Sequence, residues 1–286
     1  MGLALNPSRA ALDRAALAAV VLPDSKLLTS VRVLASTGST NADLLAAARA
    51  GAAAGAVLVA EEQTAGRGRL DRSWQSQPGA ALTFSVLLRP AGVPPARRGW
   101  LPLLTGVAVA SALRAETGVD VRLKWPNDVL AGPGRAGGPG GGEGGSGGKL
   151  AGILAELAGD AVVVGIGLNV SSTRDELPSA NATSLWLAGG AAVGREAILA
   201  AILRQLEDWY RRWADGPAPG DAIASGLREE YLRWCATVGR NVRVELPGGG
   251  VLTGRATDVD SVGRLVVSAA DGSAHPVSAG DVVHVR

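Results

Sequence analysis

The chain has 286 residues, with 28 basic and 26 acidic side chains and a formal net charge of +2. This length suits one or two domains with a substantial core, and the near-neutral balance argues against a nucleic-acid-binding protein. One cysteine and two histidines exclude a disulfide framework and disfavour a Cys/His zinc site. Because no apolar run reaches about 18 residues and no secretory signal is visible, we expect a cytoplasmic protein with no membrane or nucleic-acid partner.

Helix and strand patterns alternate along the first 236 residues. Ala/Leu-rich spacing, N-cap residues and terminal glycines predict helices at 10–21, 42–51, 97–117, 194–214 and 221–235. Short apolar runs predict strands at 31–36, 56–63, 81–89, 121–125, 149–157 and 161–170, with a hairpin partner starting near residue 127. Because hairpins outnumber crossover units, the sequence predicts an α+β fold, a mixed or antiparallel sheet flanked by helices.

Two segments set the predicted domain organisation. Residues 132–148 contain 11 glycines in 17 positions, which predicts a flexible insert that buries no core. The last 50 residues contain five short β runs separated by Gly and Asp, at the spacing of a small barrel. We therefore place a domain boundary near residue 237, which divides the chain into 1–236 and 237–286.

Two glycine-rich motifs do not match nucleotide-binding fingerprints. EGGSGGKL has Glu143 where a P-loop needs its first Gly, and Leu150 where it needs Ser or Thr. GIGLNV has Val170 in place of the third Gly of a dinucleotide fingerprint, and it ends a strand pair instead of opening a helix. Neither nucleotide-binding fold is supported.

The segment EQTAGRGRLDRSW, residues 62–74, predicts an anion-binding loop. It carries Arg67, Arg69 and Arg72 beside glycines and ends in Trp74. Glycines let backbone N–H groups approach an anion, and guanidinium groups grip carboxylate or phosphate oxygens in pairs. A solvated arginine-rich loop is the competing interpretation, because the chain has 25 arginines and three lysines. Binding of single-stranded nucleic acid would need several interleaved aromatic residues.

Two shorter motifs are ordinary when taken alone. KWPND, residues 124–128, is compatible with simple turn chemistry after a proline. Lys149, at the start of KLAGIL, is compatible with a surface charge at the end of a strand.

The order of the motifs is more specific than any one of them. STGSTN, EQTAGRGRxxRxW, KWPND, KLAGIL and GIGLNV follow one another, and together they resemble the catalytic domain of biotin–protein ligases over roughly residues 30–235. Residues 237–286 are similar to the SH3-like C-terminal domain of that family. The resemblance implies a class II synthetase-like catalytic domain. It also implies a two-step reaction, in which biotin and MgATP give biotinyl-5′-AMP, and a lysine of a biotin carboxyl carrier domain of an acyl-CoA carboxylase then displaces AMP.

The resemblance also implies roles for individual residues. The catalytic residues it implies are Lys149, Arg67 and Asp128, with Asp128 assisting Mg²⁺ or receiving the incoming amine. The implied biotin-binding residues are Ser39, Thr40, Asn41, Gln63, Arg67, Gly68, Arg69, Lys149, Gly165 and Gly167. The implied ATP or adenylate-binding residues are Arg69, Arg72, Trp74, Asn127, Lys149 and Asn169, with Trp74 stacking near the adenine. Loops 64–78 and 171–183 are expected to close over the adenylate.

The sequence departs from the family pattern in two places, and two alternative functions remain beside the ligase hypothesis. Asp71 stands where the family pattern GRGRxGR has Gly, and the glycine-rich insert is unusually long. A lipoate or octanoyl ligase or transferase of similar architecture is one alternative, and a biotin-sensing repressor is another. Only 36 residues and one convincing helix precede TGSTN, too few for a winged helix-turn-helix, so we expect a ligase that does not bind DNA.

Overall fold

The computed structural model describes residues 9–70, 72–132 and 148–285. The departure at Asp71 and nearly all of the glycine-rich insert lie outside the described residues. The described chain forms a seven-stranded mixed sheet flanked by helices and a five-stranded antiparallel sheet near the C-terminus. The predicted α+β class is therefore confirmed.

The large sheet has the strand order β1-β2-β3-β7-β6-β5-β4. Strands β1 and β2 are parallel, and the other neighbours are antiparallel. The seven strands are β1 Ser30–Thr37, β2 Ala56–Gln63, β3 Ala81–Leu88, β4 Val121–Lys124, β5 Asp128–Ala131, β6 Lys149–Ala158 and β7 Ala161–Asn169. The helices are α1 Arg14–Val21, α2 Thr40–Arg49, α3 Leu101–Thr117, α4 Arg195–Ala214 and α5 Leu227–Trp234.

The two faces of the sheet bury different residues of its central strands. Alternate apolar side chains of β3, including Leu82, Phe84 and Val86, belong to the main core that also contains α3 and α4. The intervening residues Thr83 and Ser85 lie on the opposite face, where α2 packs, because successive side chains of a strand point to opposite sides. This second face carries the small and polar residues from which the site is built.

The C-terminal sheet is attached to the rest of the chain through two buried tryptophans. Its strands are β8 Asn241–Glu245, β9 Val251–Val259, β10 Leu265–Ser268, β11 Ala274–Val277 and β12 Asp281–His284, in the order β11-β10-β9-β8-β12. The buried indole of Trp100 donates to the Ser261 carbonyl at 3.1 Å, and that of Trp125 donates to Gly263 at 3.0 Å. The five predicted β runs are thus confirmed as strands of one sheet.

Three predicted helices are shorter in the structure. The first begins only at Arg14, because the Asp13 carboxylate caps it by accepting from the amides of Ala15 and Ala16. The helix predicted at 97–117 is preceded by a 3₁₀ turn, Pro95–Trp100, and α3 begins at Leu101. The helix predicted at 221–235 begins at Leu227, after a separate turn that ends at Gly226 with a φ of 73°.

No helix in the described part of the chain is both long and apolar enough to cross a bilayer.

Candidate active site

A cavity of about 130 Å³ opens on the α2 face of the large sheet. It is enclosed by the start of α2, the arginine loop (residues 64–78), the turn between β4 and β5, the first residues of β6, and the edge of the C-terminal sheet. All the predicted site residues except Asn169 line it: Ser39, Thr40, Asn41, Gln63, Arg67, Gly68, Arg69, Arg72, Trp74, Asn127, Asp128, Lys149, Gly165 and Gly167.

The start of α2 forms one polar wall of the cavity. Ser39 is the N-cap of α2, and its hydroxyl accepts from the Ala42 amide at 3.4 Å. The Gln63 side-chain oxygen accepts from both the amide and the hydroxyl of Thr40, at 2.8 and 3.0 Å. Gln63 lines the cavity together with Ser39 and Thr40, so this wall offers donors and acceptors in fixed positions.

Asn41 is fully engaged by protein groups. Its side-chain nitrogen donates to the Leu154 carbonyl and to Glu156, at 3.1 and 2.8 Å, and its oxygen accepts from the Ser85 hydroxyl at 2.6 Å. A Cβ at Gly165 would lie 2.2 Å from that oxygen. Gly165 is therefore needed for the close approach of Asn41, which supports the floor of the cavity.

The indole of Trp74 covers the glycine floor of the cavity. A Cβ at Gly167 would lie 2.3 Å from Trp74 Cε2, and one at Gly152 would lie 3.5 Å from Trp74 Cζ3. The indole N–H is buried and has no hydrogen-bond partner in the part of the chain that the structure describes. Small-molecule sites commonly enclose about 300–1,000 Å³, which is more than this cavity does. The indole therefore occupies space that a ligand would need.

The backbone of the arginine loop and the side chains of its three arginines hold the loop closed over the cavity. The Gly68 amide donates to the Arg72 carbonyl at 2.6 Å, and the Trp74 amide donates to Gly66 at 2.8 Å. Within the loop, the left-handed conformation falls on Leu70, at a φ of 53°.

The three arginines of the loop contact β6, the turn between β4 and β5, and the start of β12. Arg67 forms an ion pair with Glu156 at 3.2 Å, and Arg72 forms one with Asp281. Arg69 donates to two neutral oxygens at 3.3 Å, those of the Asn127 side chain and the Gly280 backbone. Burial lowers the pKa of Arg69, although the nearby carboxylates act in the opposite direction.

Lys149 and Asp128 meet at the edge of the cavity. Lys149 Nζ lies 2.6 Å from Asp128 Oδ1, and both side chains are partly exposed. They are the first residues of the antiparallel neighbours β6 and β5, and Asp128 is paired with Gly152, which is close to Lys149 along β6. This pair holds an ammonium group beside the arginine loop.

Asn169 lies behind the cavity and supports the second predicted loop. It is buried, and its side-chain nitrogen donates to the Thr183 carbonyl at 3.0 Å. The Lys149 amide donates to the Asn181 carbonyl at 2.7 Å, and the Thr183 amide donates to Lys149 at 2.9 Å. Segment 171–183 is thus paired with the backbone of Lys149.

Both the sequence and the fold of the chain are similar to those of known proteins. The profile of the biotin/lipoate A/B protein ligase family matches residues 32–171, and that of the biotin protein ligase C-terminal domain matches residues 237–285. The chain is 45% identical over 262 residues to the biotin–[acetyl-CoA-carboxylase] ligase of Mycobacterium tuberculosis, covering 89% of this chain and 88% of that protein. The chain belongs to the biotin protein ligase family.

Two further relatives extend the match within the biotin protein ligase family. The chain is 32% identical to the bifunctional ligase/repressor BirA of Bacillus spizizenii, over 84% of this chain and 69% of that protein. The solved biotin protein ligase of Aquifex aeolicus in complex with biotin and ATP has a TM-score of 0.69 and 27% identity, covering 90% of this chain and 98% of that one.

The cavity of this biotin protein ligase homologue is strongly cationic. Of the residues that the structure describes, five cations line it, namely Arg67, Arg69, Arg72, Lys124 and Lys149, against two carboxylates, Asp128 and Asp281, which leaves an excess of three positive charges. Such a lining favours ligands that carry carboxylate or phosphate groups. Among the described residues, no group of three or more His, Cys, Asp and Glu side chains is arranged to hold a metal ion.

Three residues of the site were not predicted from the sequence. Ser85 and Glu156 hold Asn41 and Arg67, and Asp281 holds Arg72. Strand alternation could have placed Glu156 on the same face as Gly152 and Leu154. Nothing local indicates Asp281, because 209 residues separate it from Arg72.

Proposed function

We propose that the chain activates biotin with MgATP to biotinyl-5′-AMP and then transfers the biotinyl group to a lysine of a carrier domain. The observation that carries the proposal is the single cavity in which the Thr40–Gln63 wall, a glycine floor, three loop arginines and Lys149 converge. The complexes of the Aquifex aeolicus protein with biotin and ATP support it.

The neutral part of the cavity suits biotin. A ureido ring needs donors and acceptors in fixed positions, and Ser39, Thr40 and Gln63 supply them at the start of α2. The apolar rings and tail of biotin need a flat floor, which Gly152 and Gly167 provide. Binding on this floor requires the Trp74 indole to leave its present place, and we propose that it then stacks near the adenine.

The cations of the cavity suit the first chemical step. The biotin carboxylate must attack the α-phosphate of ATP and displace pyrophosphate, and both reacting groups are anionic. Arg69 and Lys149 reduce this repulsion and stabilise the charge that develops in the transition state. Arg69 is well suited because its hydrogen bonds go to neutral oxygens, so its charge remains available for an anion.

Closure of the loops protects the product of that step. An acyl adenylate hydrolyses readily, so water must be kept from it. We propose that the arginine loop, with Arg67, Gly68 and Arg72, covers the biotinyl and phosphate groups, whereas Asn127 and segment 171–183, supported by Asn169, close on the adenosine side.

The second step needs a base for the incoming amine. The Asp128 carboxylate lies beside Lys149 and is placed to accept a proton as a carrier lysine attacks the mixed anhydride and AMP leaves. We propose that Mg²⁺ enters with ATP. Because Mg²⁺ commonly combines one or two protein carboxylates with substrate phosphates, Asp128 can supply the protein ligand.

The remaining assignments follow from the reaction. We propose residues 1–236 as the catalytic domain and 237–286 as the C-terminal domain, which the start of the C-terminal profile at residue 237 supports. The acceptor is the biotin carboxyl carrier domain of an acyl-CoA carboxylase, as the name of the Mycobacterium tuberculosis relative suggests. We propose that the reaction takes place in the cytoplasm, since it consumes ATP and acts on this acceptor.

Mass spectrometry of a carrier domain tests the proposal directly. The domain is incubated with this protein, biotin and MgATP, and we expect it to gain one biotinyl group on a single lysine. Reactions without ATP, or with the acceptor lysine replaced by arginine, are the controls. ATP–pyrophosphate exchange driven by lipoate or octanoate and not by biotin would contradict the assignment, because the matching family profile includes lipoate ligases.

A further inference from the structure

The C-terminal sheet contacts the arginine loop directly. Asp281, the first residue of β12, forms an ion pair with Arg72, and the preceding Gly280 carbonyl accepts from Arg69 at 3.3 Å. Consecutive residues of the C-terminal sheet thus hold two different arginines of a loop that lies more than 200 positions earlier in the chain.

The electrostatics of Asp281 are consistent with a formed ion pair. Burial alone would raise the pKa of Asp281, but the hydrogen bond and charge of Arg72, together with Lys124 and Arg69, hold it below the ordinary value. Asp281 therefore remains a carboxylate at neutral pH, and it faces a group of cations.

The C-terminal sheet is a firm support for this contact. Asp281 pairs with Glu245 of β8, and a Cβ at Gly280 would lie 2.6 Å from Val244 Cγ1, so β12 packs closely on its neighbour. The sheet is in turn attached to the catalytic half by the two buried indole hydrogen bonds and by Arg228, which donates to both carboxylate oxygens of Asp258 at 2.5 and 2.6 Å. A change at Asp281 is therefore transmitted to the loop rather than absorbed by the sheet.

We propose that Asp281 is a positioning residue that latches the arginine loop closed and thereby places Arg69 over the cavity. The effect of this latch on the reaction rests on the proposed function, in which a closed loop retains the adenylate. The C-terminal domain then contributes to the activation of biotin through one carboxylate, without itself contacting the reacting atoms.

Limited proteolysis tests the latch without depending on catalysis. Trypsin cleaves after arginine and needs a loop that can move into its active site, and the contacts of Arg69 and Arg72 hold this loop in place. In the ligand-free full-length protein, we expect Asp281→Asn to raise the rate of cleavage after these two residues about 1.5- to 5-fold, the range expected for a partly exposed ion pair. Asp281→Glu should restore slow cleavage. Asp271→Asn is the matched control, because Asp271 is exposed in the same sheet and contacts Ser273.

Kinetics then test the consequence. We expect Asp281→Asn to raise the KM for ATP and the rate at which biotinyl-5′-AMP escapes by the same 1.5- to 5-fold, with an unchanged melting temperature and with rescue by Asp281→Glu. A purely structural role would lower the melting temperature and would leave the KM unchanged. Equal cleavage rates for the wild type and Asp281→Asn would overturn the latch. If the wild type does not adenylate biotin, the proposed function fails, while the cleavage rates still report on the latch.

Discussion

Lys149 Nζ, from the first residue of β6, lies 2.6 Å from Asp128 Oδ1, from the first residue of the antiparallel strand β5. The pair places an ammonium group and a carboxylate together at the edge of a cavity that otherwise carries an excess of cations. In the proposed reaction the two groups act in sequence. Lys149 stabilises charge while the adenylate forms, and Asp128 accepts a proton while the adenylate is consumed.

The first prediction concerns the shape of the cation at Lys149. Lys149→Arg should keep the charge but replace a compact ammonium group by a planar guanidinium group, which cannot take the same place between the biotin carboxyl and the α-phosphate. We expect biotin-dependent ATP–pyrophosphate exchange to fall about 10²- to 10³-fold, as for the loss of other transition-state donors. The circular dichroism spectrum and the melting temperature should not change.

Lys26→Arg is the matched control for this substitution. Lys26 is exposed and lies outside every motif, so its replacement should leave the exchange rate unchanged. A wild-type exchange rate in Lys149→Arg would remove Lys149 from the mechanism.

The sequence was sufficient for the order of helices and strands and for bringing all but one of the predicted site residues into one cavity. Strand β3 is mostly apolar and is buried along its whole length, and such runs are recognisable without a structure. The residues taken from the family motifs lie in one cavity, because four of those motifs stand where a strand ends or begins at the same edge of the sheet.

The sequence was not sufficient for contacts between distant segments. The position of Trp74 on Gly167 depends on how the arginine loop folds back, and no periodic pattern describes a loop. The partners of Arg67 and Arg72 are carboxylates 89 and 209 positions away, so their identity depends on the tertiary structure. The predicted start of a helix at residue 221 was wrong for a local reason. Asp221 caps a separate turn by accepting from the amides of Ile223 and Ala224.

The second prediction concerns the glycine floor. A methyl group at Gly165 would lie 2.2 Å from the Asn41 oxygen, and that oxygen is buried and already bonded to Ser85. Gly165→Ala should therefore lower the free energy of unfolding by about 1–3 kcal/mol, the usual cost of overpacking. Urea denaturation measures this change. Gly38→Ala is the control, because no atom lies within 4 Å of its Cβ position, and it should cost less than about 0.5 kcal/mol. Equal losses in the two variants would show that Asn41 moves aside freely.

The third prediction concerns the glycine-rich insert. The Ala131 amide donates to the Gly148 carbonyl at 2.9 Å, so the two ends of the insert are held side by side. Deleting residues 134–146 leaves Pro133 and Gly147 as a short turn, and an added or removed hairpin tip usually changes stability little. We expect the rate of carrier biotinylation to stay within about tenfold of the wild type, or roughly 1.4 kcal/mol. A larger loss would assign the insert a role in the reaction.

The last prediction concerns pH and the two histidines of the chain. Burial, together with the charges of Lys124 and Arg240, lowers the pKa of His284 to about 4. The unfolded chain binds a proton at this residue below about 6.5, whereas the folded chain does so only near 4, so the unfolded state holds more protons between these values. Stability should therefore fall as the pH is lowered from 6.5 to 4.

Urea denaturation at several pH values between 7 and 4 checks this dependence on His284. His284→Gln removes the titrating group and should flatten the decline over this window, even if the lost contact with Thr237 lowers stability at every pH. His275 is exposed on strand β11, at the opposite edge of the C-terminal sheet from β12, and His275→Gln should leave the decline as it is in the wild type. Parallel declines in the wild type and in His284→Gln would show that other groups govern the acid stability of the protein.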